Sequence, residues 1–143
     1  DLIATTFLDV DELQTLIKLP HIPTLGIVLE LELETVVRVA RLAQNSILAV
    51  VCSTDAFATT VKQSFCKSGI DNLDFIFTTA SGEQLAKIIA QCDAVAVSAE
   101  RTTEMLGWIQ EGVQIEIIKL KYRIDQGSLN MLRCYLADLR NQT

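Results

Sequence analysis

The sequence predicts an α/β fold: a three-layer sandwich with a mostly parallel sheet of about six strands and helices on both faces. Three observations carry this. Short β-branched runs alternate with helical patterns six times along the chain, and such alternation builds parallel strands joined by right-handed crossovers. Half of the residues are hydrophobic and the mean hydropathy is +0.33, yet the longest apolar run, Ser46 to Cys52, is only strand-sized. That is the signature of strands buried on both faces, not of a membrane span of ~18 residues. The length, 143 residues, suits one domain, with no Pro-, Gly- or Ser-rich linker to divide it.

Leu2 to Phe7 reads as the first strand. Asp9 and Glu12 then have capping-box spacing at the start of a helix that stops at Pro20. Thr24 to Leu29 is the second strand, and Leu33, Val36, Val37 and Ala40 place the apolar stripe of the next helix. Glu34 and Arg38 form an i,i+4 pair on its outer face. Ile47 to Cys52 is the third strand. Ser53-Thr54-Asp55 opens a helix that buries Phe57, Ala58, Val61 and Phe65 and ends at Gly69. Leu73 to Phe77 is the fourth strand, and Ser81 with Gln84 is a second capping-box start, ahead of Leu85, Ile88 and Ile89. Ala94 to Val97 is the fifth strand, Thr103 to Gln110 a short helix closed by Gly112, and Val113 to Leu120 the sixth strand. Asp125 to Ser128 leads into a last helix with Leu129, Leu132, Leu136 and Leu139 on its inner side. The order is Rossmann-like, or like one lobe of a periplasmic binding protein.

The formal charge is −6. With no basic cluster, the chain by itself is a poor match to phosphate backbones. Cys52, Cys66, Cys92 and Cys134 form no Cys-x-x-Cys pair, and His21 is far from all of them, so metal-ligand spacing is absent. Four reduced thiols and no signal peptide suggest a cytoplasmic protein. The chain opens inside an apolar run without an initiator Met, as a cut fragment or processed product does. No catalytic residue, metal ligand or cofactor is assigned.

In an open parallel sheet ligands bind beyond the carboxyl ends of the strands, near the switch in strand order. Those ends nominate Thr5, Thr6, Glu30, Ser53, Thr54, Thr78, Ser98, Arg101 and Tyr122 as candidate ligand contacts. Ser53 and Thr54 rank first, since a helix start offers free N–H groups. Capping that helix is their simpler role. Cys52 is the one candidate nucleophile, in the manner of a phosphotransferase-system phosphocarrier. Its loop lacks both glycines and a following Arg, and a buried core thiol is the plainer role. Lys119, Lys121 and Arg123 alternate with apolar residues, as on a strand guarding a sheet edge. Met105 and Trp108 either fill the core or mark a dimer surface.

Taken together, Asp1 to Phe7, Leu48 to Ser53 with Phe57, Lys67 to Ile70, Cys92 to Ser98 and Tyr122 to Leu129 resemble the C-terminal, ligand-sensing domain of bacterial GntR-type transcription regulators. Thr5-Thr6 and the Asp125-x-Gly-Ser128 ending are the more telling parts. The resemblance implies a small-molecule effector, Thr5, Thr6, Ser53 and Ser98 as contacts, a homodimer, and operator DNA reached only through an N-terminal winged helix that these residues do not include. It also leaves room for a second lobe beyond the chain. The alternatives are a phosphocarrier enzyme domain using Cys52 and a bare oligomerisation module.

Overall fold

The computed structural model describes residues 2–6, 24–110, 112 and 114–142. The helix expected between Asp9 and Pro20, and His21, lie outside the described residues. The chain forms two compact units, Leu31–Lys121 and the combination of Asp1–Glu30 with Tyr122–Thr143.

The larger unit carries a four-stranded parallel sheet in the order β5-β4-β6-β7. Its strands are β4 (Ile47–Val51), β5 (Asp74–Thr78), β6 (Ala94–Val97) and β7 (Glu116–Lys119). Four helices accompany them: α1 (Leu33–Ala40), α2 (Asp55–Lys67), α3 (Gly82–Ile89) and α4 (Thr102–Gln110). Every residue from Leu48 to Val51 and from Ala94 to Val97 is fully buried, so both faces of the two central strands are covered. On one face Ala49, Val51, Val95 and Val97 pack with Leu85 and Ile89 of α3 and Met105 of α4. On the other, Leu48 is in register with Phe75, whose ring stacks on Phe65 of α2 at 5.3 Å. Helices therefore lie on both faces, as the unbroken apolar strands require.

Local chemistry sets the helix ends. Thr54 caps α2, its side chain accepting from Phe57 N at 3.1 Å. At the other end Gly69 takes φ +72°, and Ile70 N donates to Phe65 O across it, the Schellman closure expected of a glycine there. Loss of a Thr cap costs about 1 kcal/mol. Thr54→Ala should show that loss in urea unfolding, and Thr54→Ser should restore most of it. Ser81 stands at the N-cap of α3, but its side chain makes no cap bond, so the second capping box does not form. Nor do Glu34 and Arg38 pair with each other: Arg38 bonds Ile117 O and lies 3.6 Å from Glu116, while Glu34 faces Lys121. Cations and carboxylates beyond the helix compete successfully for both ends of this exposed pair.

The smaller unit holds β1 (Ile3–Thr6) parallel to β2 (Thr24–Ile27). It also holds β8 (Tyr122–Ile124), paired with β3 (Leu29–Leu31), and α5 (Gln126–Asn141). The expected sheet of about six strands is thus a sheet of four, with the first two predicted strands pairing separately. The predicted strand Thr24–Leu29 breaks at Val28, whose N–H leaves the ladder to donate to Ser128 Oγ at 2.8 Å and whose carbonyl accepts from Asp125 N. Asp125 in turn caps α5 by accepting from Ser128 N at 2.8 Å. Hydrogen bonds from Ser128, side chain first and backbone second, hold the Asp125 carboxyl below the usual carboxylate range. The Asp125-x-Gly-Ser128 motif is a clamp between a helix start and a strand break. The alternation through Lys119, Lys121 and Arg123, read as one edge strand, is divided between two: Lys119 ends β7 and Tyr122 opens β8. Among the described residues no helix is long and apolar enough to cross a membrane.

Candidate functional site

The strand order β5-β4-β6-β7 reverses direction between β4 and β6, since β4 leads to β5 on one side and β6 to β7 on the other. Ligands of open parallel sheets bind at the carboxyl edge of such a switch point. Here that edge is formed by Cys52, Ser53 and Thr54 after β4, Thr78 to Ala80 after β5, and Ser98 to Arg101 after β6.

Arg101 organises this edge. It closes a 3-10 turn, Ala99–Arg101, that leads directly into α4, and its side chain is only 10% exposed. The guanidinium donates to Cys52 O at 3.2 Å and to Ala80 O at 2.6 Å, and makes a two-point contact with Glu104 Oε2 at 2.8 and 3.2 Å. One planar fork thus joins the ends of β4 and β5 to the first turn of α4, a task suited to Arg and not to Lys. Around it, Ser53 Oγ donates to Glu100 Oε2 at 3.4 Å, Thr102 Oγ1 donates to Ser98 O, and Thr78 Oγ1 accepts from Ala80 N. Ser98 is fully buried, and its Oγ has no hydrogen-bond partner among the described residues.

Five of the sequence-nominated contacts, Ser53, Thr54, Thr78, Ser98 and Arg101, therefore share one sheet edge. Thr54 is engaged as a cap. Thr5, Thr6, Glu30 and Tyr122 belong to the smaller unit. Thr5 pairs with Gly26 in the β1–β2 ladder, where Thr6 contributes backbone, and Glu30 binds Arg123 at 2.8 Å. Glu104 was not nominated, although the Arg-x-x-Glu spacing at a helix start was there to be read. Met105, nominated for a dimer surface, is 1% exposed within the core cluster and has no surface to offer a partner; Trp108 packs partly buried against the same cluster.

Cys52 lies at the heart of the edge but is fully buried. Burial pushes its thiol up to about 11, against a smaller opposing pull from the Arg101 charge. A thiol so placed is almost wholly protonated near neutral pH and a poor nucleophile. Its ordinary value is 9.0, so above that pH the unfolded chain releases a proton that the folded chain keeps. The thiol's contribution to stability is full below pH 9 and declines as pH rises toward about 11. Cys52→Ala should flatten that alkaline decline in unfolding curves taken from pH 8 to 11. With a disulfide-exchange reagent at neutral pH, the exposed Cys66 and Cys134 should react well before Cys52.

At the opposite, amino-terminal edge of β6 and β7 lies a cavity of about 490 Å³. Ile89 and Ala90 at the end of α3, Cys92 and Asp93 before β6, Trp108 of α4, and Gln114 and Ile115 before β7 form most of its wall. The carboxyl-edge rule points away from this place, and no sequence motif marks it.

No curated protein and no solved structure matches the chain. Residues 49–143 match the YmtS Rossmann-like domain family, a span that runs from within β4 to the end of the chain and takes in β5, β6 and β7 with the whole carboxyl edge described above. With the parallel sheet, its switch point and its two helical layers in agreement with that match over more than half of the sequence, the chain belongs to the YmtS Rossmann-like domain family.

Proposed function

We propose that this chain is the effector-sensing module of a bacterial GntR-type transcription regulator. In this reading it works in the cytoplasm as a homodimer, binds a small molecule at the carboxyl edge of β4 and β6, and biases operator binding by an attached winged helix. The observation that carries the reading is the Arg101–Glu104 pair at the switch point. A guanidinium held by two backbone carbonyls is a fixed anchor, and Glu104, 32% exposed, is the exchangeable part of its shell. An effector bearing a carboxylate or similar oxygens can take the place of Glu104 on the same fork. Because Arg101 precedes α4 directly, that exchange acts on the first turn of the helix. A ligand shifts such an equilibrium only if it binds the two arrangements unequally, and exchange of an internal counter-ion supplies that inequality.

The phosphocarrier alternative is disfavoured by the buried Cys52 thiol with its raised pKa. For the homodimer, Trp108 and the exposed Leu106 remain on α4; a bare oligomerisation module would use the same helix without any ligand.

The test uses the complete polypeptide encoded around this chain. We expect a winged helix upstream of Asp1, and operator binding, followed by fluorescence anisotropy near physiological salt, that responds to a small carboxylate effector. Arg101→Lys should lose most of the response while still binding DNA. A different upstream domain, phosphate carried on Cys52 in intact-mass analysis, or an undiminished response in Arg101→Lys would overturn the proposal.

A further inference from the structure

The cavity at the amino-terminal edge lies at the other end of the sheet from the switch point, and of its wall only Trp108 enters the reading above, as a candidate dimer contact. Its volume, about 490 Å³, is within the roughly 300–1,000 Å³ range of small-molecule sites. Its wall is mixed: Ile89, Ile115 and two alanines give an apolar lining, Trp108 contributes an indole, and Asp93 the one formal charge. No basic side chain lines it among the described residues.

Three features favour positive charge there. The first is the Asp93 carboxylate. Its Oδ2 accepts from Ile47 N at 2.8 Å, and its own N–H donates to Ile47 O, so the group is held in place while the other oxygen makes no hydrogen bond within the described residues. The second is the carboxyl end of α3: Ile89 is its last residue and Ala90 its C-cap, and both are in the wall. The end of a helix carries partial negative charge and attracts cations. The third is the indole, whose π-face attracts a cation and whose area attracts a ring. Cys92 is also in the wall; burial first and the Asp93 charge second push its thiol up, so it stays neutral and leaves Asp93 to carry the negative charge.

We infer that this cavity is a binding site for a small organic cation, an amine attached to an apolar or aromatic ring, with the ammonium at Asp93 and the ring against Trp108. Nothing in this assignment depends on the sensor function proposed for the carboxyl edge.

Trp108 is the chain's single tryptophan, so tryptophan fluorescence reads out the wall of this cavity, and the titrations are compared at one fixed protein concentration. Phenethylamine is the cationic probe, and 2-phenylethanol, similar in shape and uncharged, is the comparison. We expect phenethylamine to change Trp108 emission saturably, and 2-phenylethanol to need roughly tenfold more for the same change, the equivalent of one good charge contact. Asp93→Asn keeps a carbonyl oxygen for Ile47 N and removes the charge, so it should erase the preference for the amine while leaving the far-UV circular dichroism unchanged. Equal affinity of the wild-type chain for amine and alcohol, or no saturable change with the amine up to millimolar concentration, would overturn the assignment. The comparison of the two probes on the wild-type chain decides the matter even if the variant fails to fold.

Discussion

Arg101→Ala will lower the unfolding free energy by about 2–3 kcal/mol. The side chain is 10% exposed and donates to two backbone carbonyls and one carboxylate. Its removal leaves Cys52 O and Ala80 O without that donor inside the protein, and each buried, unsatisfied group costs about 1–3 kcal/mol. Glu104 adds less, because at one-third exposure water can solvate the carboxylate it leaves behind. Glu104→Gln should therefore cost well under half as much as Arg101→Ala. Arg101→Lys restores the charge but not the fork, and should recover less than half of the loss. Urea unfolding of the four proteins, with unchanged m-values, measures this directly. A loss below about 1 kcal/mol for Arg101→Ala would mean that water replaces the guanidinium freely and that the edge is not held by it.

Phe65→Ala should cost more, about 3–5 kcal/mol, the usual range for emptying a buried aromatic site. Phe65 is 1% exposed. Its ring stacks on Phe75 at 5.3 Å with an interplanar angle of 16°, and Phe75 lies 5.8 Å from Phe77. The three rings join α2 to the outer strand β5. The truncation thus removes transfer energy, leaves a cavity, and breaks a ring contact worth roughly a further 1 kcal/mol. Phe65→Leu keeps most of the volume and should cost less than half as much. Because Phe65 O also accepts the closing bond from Ile70 N at the end of α2, collapse of the site should loosen that turn too. Hydrogen exchange at Ile70 should therefore quicken in Phe65→Ala, and an unchanged rate there would separate the helix end from the packing beneath it.

The sequence by itself determined the alternation of strands and helices over Ile47 to Lys119, the burial of β4 and β6 on both faces, and the glycine stop at Gly69. All of these follow from residues within one turn or one strand of each other. It also put Ser53, Thr78, Ser98 and Arg101 at strand ends, which parallel strand direction brings to one edge, but the same rule nominated Thr5, Thr6, Glu30 and Tyr122, which belong to the smaller unit. What it left open were choices among distant partners. Leu2–Phe7 and Thr24–Leu29 have the composition of central strands, yet they pair outside the four-stranded sheet, and period-two patterning carries no information about which neighbour a strand takes. Val28 breaks its strand because Ser128, far along the chain, offers it an acceptor. Arg38 abandons Glu34 because β7 brings Ile117 O and Glu116 within reach. Arg101 becomes the centre of the edge only when folding carries the carbonyls of Cys52 and Ala80 to its two arms. The cavity beside Trp108 exists only because the ends of α3 and α4 and the starts of β6 and β7 meet there. In each case the deciding contact spans a long stretch of chain, and its geometry is set by packing that no local pattern encodes.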